Sequence, residues 1–254
     1  MRVRILWLGG AVALGLVLGG IAQFPAARAV AWVDPAGVDV AGVQGSVWRG
    51  RAERVEVPDA PPATGVSWQI SPWHLLLGRL AGRAEFDIGG GSGHARFRVA
   101  RGGDLQIADA EVRATAAGIA RHLPVPLLLV DGDITAVMEQ GALRAGRPVG
   151  VDARLRWDRA AVRQPVDVLL GAVTLAVAPE ADGGHRLTLD GRNGVVDIDG
   201  EGAVSADGRY NVEIRIEPTA DAGPRVTDML ANMATRQGDV YIIREAGQLP
   251  FGNP

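Results

Sequence analysis

The side chains that could do chemistry are few, and their spacing does not suit catalysis. The four histidines, at positions 74, 94, 122 and 185, have no metal-ligand spacing, so each is expected at a turn or on the surface. Only five serines occur, and none lies in a nucleophile motif or is paired with a histidine and a carboxylate. Without cysteine, disulfides and thiolate metal sites are excluded. The sequence therefore predicts no enzyme, no metal site and no cofactor.

The acidic motifs also favour structural roles. The Asp-Ile-Asp-Gly segment at 197–200 is similar to the start of a calcium loop, but its glycine comes too early. Position 12 of such a loop would be Gly208, where a bidentate glutamate is needed. A strand that ends in an Asp-Gly turn explains the segment better. Glu85 and Asp87 are two residues apart, which places them on one solvent face of a strand.

All 26 basic residues are arginine, in a chain of net charge −3. Guanidinium groups recognise phosphate and carboxylate by paired hydrogen bonds, so a clustered set would predict an anion site. The arginines are scattered along the sequence, however, and the abundance of alanine, glycine and valine is typical of coding bias. The sequence predicts no anion site, and the net charge of −3 predicts no global field that recruits nucleic acid or anionic lipid.

Beyond the first 27 residues, the dominant period is two, which is typical of strands with one apolar face. Residues 84–88 and 95–99 alternate around the glycine-rich segment 89–93, which predicts a hairpin with Glu85 and Asp87 across from Arg96 and Arg98. Further alternation at 149–157, 173–177, 187–189 and 210–216, joined by Gly and Asp turns, predicts a mainly antiparallel sheet. A short last strand is expected at 240–243.

Helical patterns are few. Val226, Met229, Leu230 and Met233 have helical spacing behind Pro224, and two other short helices are expected at 73–80 and 115–123. The predicted body is mainly β: a curled antiparallel sheet, either a sandwich or a taco-like curl, with two or three short helices.

Residues 5–27 contain no charged side chain and are long enough to cross a bilayer as a helix. Arg2 and Arg4 precede them, which favours a cytoplasmic N-terminus of residues 1–4 and a periplasmic domain of residues 28–254. The chain is thus expected to be a single-pass inner-membrane protein. The alternative is a cleaved signal peptide, since Ala27-Arg28-Ala29 is similar to a cleavage site.

Two tryptophan-centred segments follow the predicted anchor. The first is Gly45-Ser46-Val47-Trp48-Arg49-Gly50, and the second runs from Trp68 through Pro72 and Leu76 to Gly78. With the order of later features (the turn at Asp207-Gly208, the helix near Met229 and the final strand), they make the chain resemble the type II secretion system protein N (GspN) family. The resemblance implies an accessory component of the inner-membrane platform that assists export of folded proteins across the outer membrane, and it supplies no catalytic residues.

Two functions remain open. The first is contact with other platform proteins through the sheet, with Trp73, Met229 and Met233 as the candidate partner surface. The signature residues Gly45, Trp48, Gly50, Trp68, Pro72, Leu76 and Gly78 are interpreted as structural. The alternative is a membrane-anchored module that handles lipid in an apolar groove of the AsmA-like or lipopolysaccharide-bridge type, built from positions such as Leu127, Leu129, Val151 and Leu155.

Overall fold

The computed structural model describes residues 25–27, 38–57, 60–73, 79–100, 102–122, 129–144, 147–164 and 166–249. Most of the predicted membrane helix, together with Leu76, Gly78 and Leu127, lies outside these residues. No helix within the described ranges is long and apolar enough to span a bilayer. The division at residues 4 and 27 stays a prediction.

In the part of the chain that the structure describes, fifteen strands form one open sheet, in which β3 to β12 each pair antiparallel with the next strand in sequence. The sheet ends with β15 beside β13 and β14 beside β15, while β1 and β2 both pair with β3 at the other edge. A mainly antiparallel β body is therefore confirmed. All fifteen described strands belong to this one sheet. The strands are β1 (Asp39–Ala41), β2 (Gln44–Gly45), β3 (Arg49–Glu56), β4 (Ala63–Ser71), β5 (Arg79–Ile88), β6 (Gly91–Ala100), β7 (Leu105–Thr115), β8 (Leu129–Arg144), β9 (Arg147–Gln164), β10 (Val168–Pro179), β11 (His185–Arg192), β12 (Val196–Val204), β13 (Arg209–Pro218), β14 (Thr235–Gln237) and β15 (Val240–Gln248).

The described residues contain two short α-helices. Helix α1 (Ala116–Ala120) follows β7, and the Thr115 side chain caps it by accepting a hydrogen bond from the Gly118 N–H. Helix α2 (Pro224–Met233) begins with proline, as predicted from its spacing. The helix expected at 73–80 does not reach its predicted end, because Arg79 and Leu80 already belong to β5.

The first long hairpin has a tighter turn than the sequence suggested. Only Gly89 and Gly90 form the turn, with φ of +58° and +78°, and Gly91 already pairs with Ile88. Positive φ at both central residues is typical of the two-residue turn that matches strand twist. The shorter turn moves the register, so Arg96 lies opposite Arg83 and not opposite an acidic residue. The predicted cross-strand pairing of acids with arginines is wrong.

β-Bulges bend the middle of the sheet. The β6–β7 ladder shifts beside Asp109, whose φ is +47°. The β8–β9 ladder shifts between Met138 and Gln140, and these two residues flank the position opposite Asp109. Since a bulge bends its strand and increases the local twist, bulges side by side on neighbouring strands bend the sheet at β7 and β8.

The densest packing lies at the C-terminal end of the sheet. Val226 and Leu230 of α2 are buried against Val168, Val196 and Tyr241. Helix α2 therefore packs on the sheet of its own chain. Elsewhere the apolar face is half-buried, and within the described residues no large side chain is fully buried. The body is a single layer covered in part by two helices.

Candidate functional site

The signature residues build a corner where β2, β3 and β4 meet. The indole N–H of Trp68 donates to the Val47 carbonyl over 3.0 Å. Gly50 lies opposite Trp68, and a Cβ there would be 2.3 Å from the indole Cζ2. Gly45 has φ of +86°, and a Cβ there would be 2.6 Å from the Arg49 carbonyl oxygen. The two glycines thus let the chain turn tightly beneath a tryptophan.

Two further signature positions lie beside this corner. Trp48 is half-buried and Pro72 is exposed, and both line an open cavity of about 1140 Å³. Leu76 and Gly78 are outside the described residues. The signature residues that the structure describes therefore lie together at one end of strands β2, β3 and β4.

The predicted partner surface does not form a single patch. Trp73 is 75% exposed just after β4, whereas Met233 is 66% exposed at the end of α2. These positions lie toward opposite ends of the strand order. Met229 packs against the core cluster beneath α2. Only Met233 lies beside a feature suited to binding a protein chain.

That feature is the outer edge of β15. Strand β14 pairs with β15 only from Val240 to Ile242, and among the described residues nothing pairs with the same edge at positions 243–248. The opposite edge of the sheet is less regular, since β1 and β2 are short and are interrupted at Gly42 and Val43. An open strand edge is a template for a further strand, and short or broken edge strands protect against such pairing. The β15 edge is therefore the better candidate for strand addition.

The orientation of the β15 backbone follows from its last ladder contact. The Leu249 N–H donates to the Gly208 carbonyl over 2.9 Å, on the β13 side. Because N–H groups alternate in direction along a strand, the N–H groups of Arg244, Ala246 and Gln248 point to the open side. These donors are the groups that an added strand would bind.

The charges on β15 are directed toward β13, away from the open edge. Arg244 donates to Glu213 over 2.7 Å, and the Tyr210 hydroxyl donates to Glu245 over 3.3 Å. Hydrogen bonds from Arg244 and Arg215 lower the pKa of Glu213. Ala246 and Gly247 follow, so these two positions of the edge carry no charged side chain. A groove of about 390 Å³ lies between Met233 and Ile243 at the start of this edge, and Asn232, Thr235 and Arg244 give it a largely polar lining.

The comparison with known families agrees with the signature. The family model for type II secretion system (T2SS), protein N, matches residues 36–244. The chain belongs to this family. The match includes every described strand and helix from β1 to the first half of β15. No curated protein and no solved structure is similar enough to the chain to count as a match.

Membership in the T2SS protein N family makes the chain a secretion-system component.

Sequence reasoning missed the β15 edge, since the expected last strand ended at 243 and β15 continues to Gln248. The exposed second half of β15 alternates less clearly between apolar and polar residues than its first half. Hydrophobic periodicity alone therefore did not predict that the strand continues.

Among the described residues, the polar side chains that could do chemistry lie apart from one another. Glu85 lies opposite His94 on β6. The described residues contain no group of three or more histidine and carboxylate side chains arranged to hold a metal. Asp197 and Asp199 lie within the β12–β13 ladder, opposite Glu217 and Arg215. The predicted Asp-Gly turn at the end of segment 197–200 is wrong, because β12 continues to Val204.

His185 differs from the expectation of a surface or turn residue, because it is buried with 6% exposure. Its Nε2 accepts a hydrogen bond from the Val151 N–H over 3.0 Å, just beyond the end of the β9–β10 ladder at Ala153. The contact joins β9 to β11 across β10.

His185→Ala is expected to lower the free energy of unfolding by about 1–3 kcal/mol, because the Val151 N–H loses its acceptor. Urea denaturation followed by circular dichroism measures the change. His94→Ala, at an exposed position, is the control and should change stability by less than about 0.5 kcal/mol. Equal effects of the two substitutions would contradict a structural role for the His185 contact.

The turn between β12 and β13 holds the end of β15, since Gly208 accepts from Leu249. The Ser205 hydroxyl donates to Asp207 over 2.6 Å, and Arg209 pairs with the same carboxylate at 2.7 Å. These contacts lower the pKa of Asp207 from 3.8 to about 2.

Because the folded-state pKa of Asp207 is lowered, its contribution to stability is present above pH 3.8 and is lost as the pH falls through about 2. A carboxyl-carbon NMR titration should give a midpoint near 2 for Asp207. In Ser205→Ala the midpoint should move upward, because the largest cause of the shift is removed. An unchanged midpoint in that variant would show that the hydroxyl does not hold the carboxylate.

Proposed function

We propose that this protein is an accessory inner-membrane component of the type II secretion system. Residues 5–27 anchor it, and the sheet lies in the periplasm, where it assists export of folded proteins across the outer membrane. Family membership supports the system, and the uncharged segment behind Arg2 and Arg4 supports the anchor and its orientation.

The proposed contact with the secretion machinery is strand addition. An extended segment of another platform protein pairs with the outer edge of β15 at 243–248, and a side chain of that segment enters the groove beside Met233. The single observation that carries this proposal is the open edge next to an exposed methionine. Main-chain hydrogen bonds give affinity in such complexes, and a side-chain pocket gives specificity.

Ala246→Pro tests strand addition, because proline removes an N–H that points to the open side and leaves the β13 ladder intact. Tagged full-length protein is purified from native membranes, and co-purified secretion components are quantified by mass spectrometry. We expect recovery of the partner to fall at least about tenfold, the change that a loss of about 1.4 kcal/mol produces.

Ala246→Ser is the matched control, since it changes the same side chain and keeps the N–H. Its recovery of secretion components should equal that of the unchanged protein. Equal recovery from the proline variant would overturn strand addition at β15. A failure to recover any secretion component with the unchanged protein would count against the platform role itself.

A second candidate function is lipid handling, and the uncovered apolar face favours it. Ile70, Gly82, Phe97, Ile107 and Gly141 form one continuous row across β4 to β8. Val151 and Leu155, two positions of the groove anticipated from sequence, are half-buried, whereas Leu129 is 52% exposed. Lipid analysis of the purified protein distinguishes the two functions. Stoichiometric lipid without secretion components would favour lipid handling, and bulk phospholipid with secretion components would favour the platform role.

A further inference from the structure

Arginines that are scattered in sequence come together on the polar face of the sheet. These arginines and the apolar row Ile70, Gly82, Phe97, Ile107 and Gly141 of the other face both line the open cavity of about 1140 Å³ between β3 and β9, where Asp109 is the only acidic residue among the described lining positions. This clustering differs from the scatter of the same arginines along the sequence. The arginines of this patch are Arg49, Arg83, Arg96, Arg98 and Arg144.

The strand register explains the cluster. Arg83 lies opposite Arg96 on the polar face. Their sequence neighbours Gly82 and Phe97 lie opposite each other on the apolar face. Like charges directly opposite each other on a sheet are destabilising. Asp109 pairs with Arg96 at 2.9 Å, Asp104 lies 3.8 Å from Arg144 and Gln69 accepts from Arg83, which leaves the charges of Arg49, Arg83 and Arg98 uncompensated by any described carboxylate. Arg49 and Arg98 make no ion pair with any described residue.

The patch lies at the end of the sheet where the predicted anchor ends. Pro25 forms a β-bridge with Ser46, and Ser46 lines the same cavity as the arginines. Pro72 also lines the cavity, and the neighbouring Trp73 is 75% exposed. The β8–β9 connection brings Arg144 and Arg147 to this end as well.

We propose that this arginine patch binds the phosphate groups of anionic phospholipids in the membrane that holds residues 5–27. Arginine recognises phosphate oxygens by paired, charge-assisted hydrogen bonds. A tryptophan beside such a patch suits the headgroup level of a bilayer, where its amphipathic ring is favoured. Headgroup contact fixes the tilt of the sheet on the membrane, and it uses the polar face and not the β15 edge. The patch therefore acts independently of strand addition.

Charge complementarity and position together select this ligand. An acidic protein segment would satisfy the same arginines, but it would not explain the exposed indole or the nearness of Pro25. A membrane surface satisfies all three features at once. Each arginine near an anionic surface strengthens the contact by roughly fivefold.

The test uses the full-length chain in lipid nanodiscs of two compositions, phosphatidylcholine alone and an equal mixture of phosphatidylcholine with phosphatidylglycerol. Hydrogen–deuterium exchange is followed by mass spectrometry over β4 to β6. We expect slower exchange in the anionic discs, and we expect added salt to reduce the difference because it screens exposed charges.

Arg49→Gln/Arg98→Gln should remove most of the protection given by anionic lipid, since two contacts of roughly fivefold each are lost. The matched control is Arg154→Gln/Arg225→Gln, which removes two arginines that also lack an ion pair among the described residues and lie outside the cavity. The control should keep the protection. Equal exchange in the two disc types, or equal protection in the two double variants, would overturn the proposal. Slower exchange on adding an acidic peptide, with no response to lipid composition, would instead assign the patch to a protein ligand.

Discussion

Leu230→Ala is expected to lower the free energy of unfolding by about 2–5 kcal/mol, the cost of emptying a well-packed leucine site. Leu230 is 5% exposed and packs with Val226 of α2 against Val168, Val196 and Tyr241 of three strands. This cluster is the best-packed region of the described sheet, so few other contacts can compensate for the cavity. Urea denaturation of the full-length chain in detergent, followed by near-ultraviolet circular dichroism, measures the loss.

Met233→Ala is the control for this prediction. Met233 is on the same helix, but its side chain is 66% exposed, so its truncation should change stability by less than about 0.5 kcal/mol. If both substitutions cost the same, α2 does not pack on this sheet through Leu230.

Gly50→Ala is expected to destabilise the N-terminal half by about 1–3 kcal/mol, the cost of overpacking a fitted site. The new methyl group would lie 2.3 Å from Cζ2 of Trp68 and 2.9 Å from the Ser46 carbonyl oxygen. The indole cannot simply move aside, because its N–H is bonded to the Val47 carbonyl. Thermal unfolding of the single variant gives the size of the effect.

A double-mutant cycle separates this clash from a general cost of losing a glycine. Trp68→Phe removes Cζ2, so Gly50→Ala should cost less in that background, with a coupling of about 0.5–3 kcal/mol. Gly102→Ala is the control, since a Cβ there meets no atom within 4 Å. Strictly additive effects of the two changes would show that Gly50 is not required by the tryptophan.

The sequence predicted the strands and helices of this fold better than it predicted which residues lie opposite each other in the sheet. Alternation identified β9 and the β10–β11 hairpin, and helical spacing identified α2, because period two and period 3.6 are properties of one segment. Register depends on the turn, and the two-residue turn at Gly89 and Gly90 moved Arg96 from an expected acid to Arg83. For that reason the arginine patch did not emerge from the sequence.

The candidate site was predicted only in part. Met233 was expected on a partner surface and is exposed, but the open edge beside it depends on where β14 ends and β15 continues. Trp73 is exposed too, though near the other end of the strand order. Likewise, the hydrogen bond from the Val151 N–H to His185 joins positions 34 residues apart. No local sequence pattern indicates which backbone N–H lies beyond the end of a strand pairing. Contacts between distant segments follow from the assembled sheet and are not properties of any single stretch.

The most direct test of partner binding at the β15 edge is site-specific photo-crosslinking in cells. A benzoyl-phenylalanine replaces Met233 or Gln248 beside the open edge, and replaces Arg154 on the polar face of β9 as the control. We predict a cross-link to another type II secretion component from positions 233 and 248, and none from position 154. Cross-links to that component from position 154 or 73, with none from 233 and 248, would contradict strand addition at β15.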